Sequence, residues 1–512
     1  MSLERIKRNW KVYGIVAAIL YAAYAMFLNP TFTSDGVVTT PENLNSLFPL
    51  AGTFTGGRFM LFYIQYIYHF LDKFHISKYE NQYIFEIIVM LVVALVITRL
   101  YVSVEHYFET RLQKAMALVI IMIGFVNPLY VETFVYCGLE LAIAALFMCF
   151  AVELFDREKY IASAILVFLG ISTYQSYIAL FMIYASTILF FRHEGRLSKR
   201  IVIEYIRMFL VGGIPALLSI GGIQLYVAIL NKSAFVRGFL TASVEPVAAA
   251  TKEVSFTSGI AERLHNMIYA YAVSAGKCFG MMPTLFIFII MMIMCVATIA
   301  VLIVRKASVW DIVFYIVHFI LLNFYSVAIF GVSTVTTPAP RICWHIFTTL
   351  SMVMLSMLWL YHSDSAVRWQ MVILVIFLLV DVYYMLTCEL DFFMGNAIDK
   401  QIVYQVEAEI DHYEKETGNK VTKIATYHGE DGQFYYEQQI LNPYFEYTYN
   451  HKTLHYNWSD VELIRAVTGK VYEQVDMDYS IEKNYFEGKK WDTFIADEQL
   501  IFDGDTLYWA IY

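Results

Sequence analysis

"GGRFMLFYIQYIYHFLDKF", residues 56–74, is the run on which the topology of this chain turns. By hydropathy alone it could cross a bilayer, and whether it does so reverses the orientation of everything after it. At about 100° per residue, Arg58, Gln65, His69, Asp72 and Lys73 fall within an arc of roughly 100°, while Phe59, Tyr63, Tyr66, Ile67 and Phe70 take most of the remaining surface. A helix divided in that way lies in the membrane interface. Parity gives the same answer. If the basic start "ERIKRNWK" is cytoplasmic and residues 56–74 do not span, then "RLYVSVEHYFETRLQK", "DREK", "FRHEGRLSKR", "VRK" and "HSDSAVR" all fall inside, as the positive-inside tendency asks.

Working outward, the chain of 512 residues is 59% hydrophobic, 17% aromatic and 16% charged. Its apolar residues gather in runs long enough for a hydrocarbon core about 30 Å thick. Eleven spans are expected, at 12–28, 83–100, 115–131, 133–152, 160–173, 177–191, 208–230, 279–304, 309–330, 342–361 and 369–388. The expected fold is therefore an all-α polytopic membrane protein of about 11 transmembrane helices, with the interfacial helix in its first outer loop. The first run, followed by ten more, reads as an uncleaved anchor and not as a signal peptide. Cys137, Cys149, Cys278, Cys295, Cys343 and Cys388 lie in or at the edges of apolar runs without CxxC spacing, so buried thiols are expected and no metal site.

The net charge of −9 divides unevenly: residues 389–512 carry 24 acidic and 10 basic side chains, against 26 basic and 21 acidic before them. That tail has a helix-like stretch, "AIDKQIVYQVEAEIDHYEKETG", and strand-like ones, "VTKIATYHG" and "DTLYWAIY". Two domains are expected: 1–390 in the membrane, and 391–512 as a small α/β extracytoplasmic domain. The tail's aromatics read as a core or as a sugar-binding face, and the sequence does not choose between them.

No Walker loop, dinucleotide glycine fingerprint, HExxH or GxSxG elbow is present, which argues against the common soluble chemistries. The outer loops instead collect polar groups at one membrane face: 29–82, "NPLYVE" at 127–132, "STYQS" at 172–176, 231–278, "GVSTVTTPAPR" at 331–341, and the tail. An enzyme moving a sugar from a lipid phosphate needs a carboxylate to take the acceptor's proton, and a cation to hold the departing phosphate. Asp35, in "TFTSDGVV" at 31–38, is the candidate base; "SDG" is equally good turn chemistry. Arg58 and Arg341 are the candidate cations, Arg58 reading as well as an interfacial anchor. Glu132, Tyr174, Gln175 and His345 are further candidates for substrate binding. His345 reads more readily as a bundle histidine, and Tyr174 and Gln175 equally as a re-entry turn. Glu140 is an acid at a depth that demands pairing or water.

At "GISTYQSYIALF", residues 170–181, the sequence resembles the GtrII-like bacterial membrane glucosyltransferases. Supporting the likeness over residues 10–400 are the acidic loop around "SDG", "GGRF" at 56–59 and "PAPRI" at 338–342. The resemblance implies a GT-C-type fold in a bacterial cytoplasmic (inner) membrane, with its active site on the extracytoplasmic side. It also implies an undecaprenyl-phosphate-linked glucose donor, and a cell-surface polysaccharide or lipid-linked glycan as acceptor. Asp35 would be the base, with Arg58 and Arg341 near the donor phosphate. Many GT-C enzymes show two neighbouring acids in this loop, whereas Ser34 precedes Asp35 here, so no metal and no other cofactor is expected. No nucleic-acid partner is expected. The alternatives are a polysaccharide polymerase or ligase, and a flippase of lipid-linked sugars, which would need midplane polar groups or inverted repeats.

Overall fold

A computed structural model describes residues 3–29, 31–32, 59–72, 74, 81–136, 138–232, 259–331, 338–360, 364–428, 453–454, 457–489, 491 and 493–511. The chain forms two compact units, one of Met1–Leu28 and Leu44–Met385, the other of Asn29–Asn43 and Leu386–Tyr512.

The first unit is helical. Among the described residues, nine helical segments of 18 residues or more are apolar enough to cross a membrane: Asn9–Leu28, Gln82–Tyr107, Gly138–Asp156, Gln175–Arg192, Lys199–Gly222, Phe286–Val304, Val309–Gly331, Pro340–Leu360 and Val367–Thr417. Two further expected spans, 115–131 and 160–173, form helices of only 13 and 14 residues, Arg111–Ile123 and Tyr160–Thr173. Each rises about 20 Å, short of the bilayer core.

The first of these stops early for a local reason. Asn127 precedes Pro128, and proline disfavours the helical region for the residue before it. Asn127 Nδ2 donates to Ile123 O at 2.9 Å, and its Oδ1 accepts from Tyr130 N at 3.0 Å. One side chain thus serves both the last carbonyl of the helix and the turn after it. The span expected at 279–304 also begins late, at Phe286. Cys278, Phe279 and Leu285 have positive φ of 45°, 52° and 64°, so the backbone leaves the helical region before it.

Phe59–Asp72, which we call α1, is a helix of 14 residues, about 21 Å long. Its Ile64 is buried against Phe85, with Leu71, Leu139 and Ile143 around them, while Tyr63, Ile67 and Phe70 are exposed.

Two helices form the centre of the unit. Ile178–Arg192 (α2) buries every residue from Ala179 to Phe191, and His345–Leu360 (α3) buries all but Trp359. Their polar side chains bond the backbone: Ser351 to Phe347 O at 2.9 Å, Ser356 to Met352 O at 2.8 Å, and Thr349 to Leu322 O at 3.0 Å. Outside this centre, Ile206, Leu217, Ile293, Val296, Ile320 and Phe324 are exposed on the long helices, the kind of surface a bilayer covers.

The last helix, Asp364–Thr417 (α4), is continuous for 54 residues, about 80 Å. Residues to Met385 belong to the first unit and those from Leu386 to the second. The membrane run at 369–388 and the helix-like tail stretch at 397–418 are thus one element. After it come strand β1 (Lys423–His428), helix α5 (Asn457–Thr468), and strands β2 (Glu473–Gln474), β3 (Leu500–Asp503) and β4 (Thr506–Ile511). The sheet order is β2-β1-β4-β3, with β1 parallel to β2 and β4, and β3 antiparallel to β4. The antiparallel pair closes through Gly504 and Asp505, where φ of 60° at Gly504 suits a two-residue hairpin turn. Phe486, Trp491 and Ala510 form a core beside the sheet.

The five described cysteines, Cys149, Cys278, Cys295, Cys343 and Cys388, are buried and free, as expected. Cys137 lies outside the described residues.

Candidate functional site

The site is assembled from three segments far apart in sequence. The break after Ile123 turns the chain into the short helix Val131–Tyr136, whose first turn carries Glu132. The residues from Pro340 to Cys343 form one helical turn, with proline at its start where no N–H is needed. Arg341 there donates to Glu132 twice, through Nη1 to Oε1 at 2.7 Å and through its main-chain N to Oε2 at 2.6 Å. Side-chain exposures of 19% for Arg341 and 5% for Glu132 make this a largely desolvated pair, in which charge-assisted bonds are strong and removal of either partner is costly.

The third segment is the bend between Tyr160–Thr173 and α2. Tyr174 ends its helix in an extended conformation, and Gln175–Tyr177 make a single tight turn. Aromatic rings join the three. Trp344 lies 4.9 Å from Tyr130, 5.4 Å from Phe125 and 5.4 Å from Tyr177, and 4.0 Å from His345. Tyr177 meets His345 edge-on at 5.5 Å and Tyr174 at 6.1 Å. Tyr24, at the end of the first helix, stacks on Phe134 at 4.1 Å and donates its hydroxyl to Phe125 O at 2.7 Å.

Several polar atoms are buried here without a hydrogen bond among the described residues: Trp344 Nε1 and the hydroxyls of Ser172, Ser176 and Thr348.

A second set of charges lies at the other end of these helices. Gly138–Asp156 runs from the Glu132 side to Glu153, which pairs with Arg99 through Nε at 2.6 Å and through Nη2. Arg192 bridges Asp156 at 2.5 Å and Glu204 at 3.2 Å, and Glu204 also takes Arg200 and His193, each at 3.1 Å.

The expected site residues thus fare differently. Glu132 and Arg341 are brought together directly, with Glu132 holding the arginine. His345 is fully buried against Trp344 and Tyr177, and Tyr174 and Gln175 are half-buried at the bend. Glu140 is buried, 3% exposed. Asp35 and Arg58 lie outside the described residues. Trp344, Tyr130 and Tyr177 were not picked out by the sequence reading. The signal available was "NPLY" breaking an apolar run, and "CWH" immediately after the arginine.

Residues 24–360 match the family described as Glucosyl transferase GtrII. The chain belongs to the GtrII glucosyltransferase family. No curated protein matches it at a significant level. The GtrII match begins at Tyr24 and ends at Leu360, so it contains the Glu132–Arg341 pair and the whole aromatic group around Trp344. With its long apolar helices, this GtrII member is a membrane glucosyltransferase. Among the described residues no group of three or more His, Cys, Asp or Glu side chains is placed to hold a metal ion.

Proposed function

We propose that the protein transfers glucose from a polyprenyl-phosphate carrier, of the undecaprenyl type, to a cell-surface polysaccharide or lipid-linked glycan at the extracytoplasmic face of a bacterial inner membrane. Asp35 takes the proton from the acceptor hydroxyl as that oxygen attacks the anomeric carbon. Arg341 and Arg58 stabilise the phosphate as it departs. Tyr174, Gln175 and His345 belong to the sugar side of the site.

The observation that carries the reading is Arg341. A guanidinium held by a buried carboxylate through both its side chain and its main chain is fixed in place before substrate arrives. Fixed positive charge in a dry setting is what the developing phosphate dianion needs. Glu132 serves as the positioning residue for that cation.

Orientation follows from the charges. The arginine-rich pairs around Glu153 and Glu204 fall on the cytoplasmic side by the positive-inside tendency, and the Glu132–Arg341 end on the other. The two short helices, each joining one end to the other, then bring the crossings to eleven. Phe59–Asp72 lies along the outer interface with its exposed aromatic face in lipid. Residues 391–512 form an extracytoplasmic domain.

Asp35→Asn tests the base. In membranes given radiolabelled glucosyl polyprenyl phosphate, this variant is expected to accumulate normally and to transfer nothing. Wild-type transfer would remove Asp35 from the mechanism. Mass analysis of the polysaccharide after gene deletion separates the rivals. Loss of one side-branch glucose is expected, while loss of all long chains indicates a polymerase or ligase. Leaflet-to-leaflet movement of the lipid without transfer indicates a flippase.

A further inference from the structure

Arg207 stands on the outward face of an apolar helix. It lies inside Lys199–Gly222, one of the segments apolar enough to cross a membrane, and is exposed among Ile203, Ile206 and Leu210, which are exposed as well. Charged groups in such segments ordinarily face the bundle interior or pair with one another. Arg207 instead meets a phenol. Its Nη1 donates to the Tyr160 hydroxyl oxygen at 3.3 Å, and its guanidinium lies 5.4 Å from the centre of the Tyr160 ring. That ring is itself held edge-on at 5.6 Å by the buried Phe155. Tyr160 thus positions the cation without neutralising it, and no carboxylate pairs with Arg207 among the described residues.

The surroundings of Arg207 have the order of a lipid molecule. At about 100° per residue, Arg200, Ile203, Arg207, Leu210 and Ile214 fall within an arc of about 80°, and all five are exposed. Two guanidiniums, carried about 10 Å apart along the axis, come first. Exposed aliphatic side chains follow, with Leu217 and Leu218 carrying the surface further. The neighbouring helix, Tyr160–Thr173, exposes Ile161 and Ile165. Arg200 is 72% exposed and shares its acid, Glu204, with Arg192 and His193. A guanidinium suits phosphate because its fork reaches two oxygens, and its apolar stem lies well along aliphatic surface.

We infer that this stripe binds an anionic phospholipid of the surrounding bilayer, its phosphate at Arg207 and Arg200 and its acyl chains along Leu210, Ile214 and Leu217. The lipid supplies the counter-charge that the helix face lacks. The site lies within one compact unit and does not depend on how glucose is transferred.

Native mass spectrometry of the full-length protein tests it, with detergent-purified samples titrated with dioleoyl phosphatidylglycerol or dioleoyl phosphatidylcholine. Wild type is expected to prefer the anionic lipid on the order of 10-fold, as two arginines beside an anionic head group give. Arg207→Gln should reduce that preference about 5-fold, with phosphatidylcholine binding unchanged. Arg196→Gln, in the exposed turn where Arg196 pairs with Glu194, should leave it intact. Should Arg207→Gln fail to accumulate, Arg200→Gln replaces it, with an expected loss of about 3-fold. Undecaprenyl phosphate added in equimolar amount is expected not to displace phosphatidylglycerol. A wild type without preference, or a stripe variant that keeps it, overturns the inference. An equal loss in Arg196→Gln also does so, because it would show attraction to basic charge in general. Displacement by undecaprenyl phosphate would give the site to that lipid instead and likewise overturn the assignment.

Discussion

At the scale of single residues, the structure changes what Arg341 and Glu132 mean. Each was legible in the sequence as a charged group at an outer end. Their pairing was not, because 209 residues separate them and neither carries a motif that points at the other. Removing the carboxylate leaves a part-buried main-chain N–H and a guanidinium without this acceptor. Glu132→Ala is therefore expected to destabilise the protein by about 3 kcal/mol. In the double variant with Arg341→Ala, the cost should be at least about 1 kcal/mol less than the sum of the single ones. Thermal unfolding of the detergent-purified variants measures both, and additive effects would show that the pair is not coupled. His345 was readable both as a bundle histidine and as a substrate contact, and it lies fully buried between two rings. Trp344 was passed over because a tryptophan inside an apolar run looks like any other core residue. Only the fold shows that it touches all the segments of the site.

At the scale of elements, long apolar runs announced their helices well, since a helix in hydrocarbon must satisfy its backbone internally and so shows as length and hydropathy. What hydropathy cannot see is a break inside an apolar run. Residues 115–131 read as one span, yet Asn127 ends the helix at Ile123 and turns the chain toward Glu132. Asn127→Ala removes two buried hydrogen bonds at about 1 kcal/mol each, and is expected to cost roughly 2 kcal/mol in the same unfolding experiment. Transfer should fall as well, because the Glu132 helix starts from that turn. In the tail, the helix and the two strand stretches were legible from composition and alternation, whereas the parallel pairing of β1 with β4 was not, because parallel partners lie far apart in sequence. The start of β1 is tied to the hairpin by Asp505. Its main-chain carbonyl accepts from Thr422 N at 2.9 Å and Lys423 N at 3.1 Å, and its carboxylate meets Lys423 Nζ at 3.0 Å. The bond from Lys423 holds the Asp505 carboxyl below its ordinary value. A lowered acid favours the folded state while it is charged, so the contribution is complete above the ordinary aspartate range and disappears as pH falls through the lower folded value. Asp505→Asn should therefore melt below wild type at about pH 7, with the gap closing toward about pH 3. A gap that stays constant across that range would show that the carboxylate charge plays no part.

At the scale of the whole molecule, orientation is the property on which the chemistry depends, since the carrier's head group and the acceptor must meet on one side of the bilayer. A single cysteine at Glu194, in the exposed turn after α2, is expected to escape an impermeant maleimide in intact cells. One at Asn419, just beyond the end of α4, should react. The reverse pattern would invert the molecule and remove the proposed site from the side where surface glycans are built. The uninterrupted α4 carries a consequence for how such proteins can diverge. Each codon gained or lost between Leu386 and Thr417 turns the later faces of this helix by roughly 100° within its own unit and slides them about 1.5 Å. Homologues should then differ in this rod by seven, eleven or eighteen residues, steps that return nearly to the starting angle. Lineages with other lengths would need a kink or a loop to absorb the error.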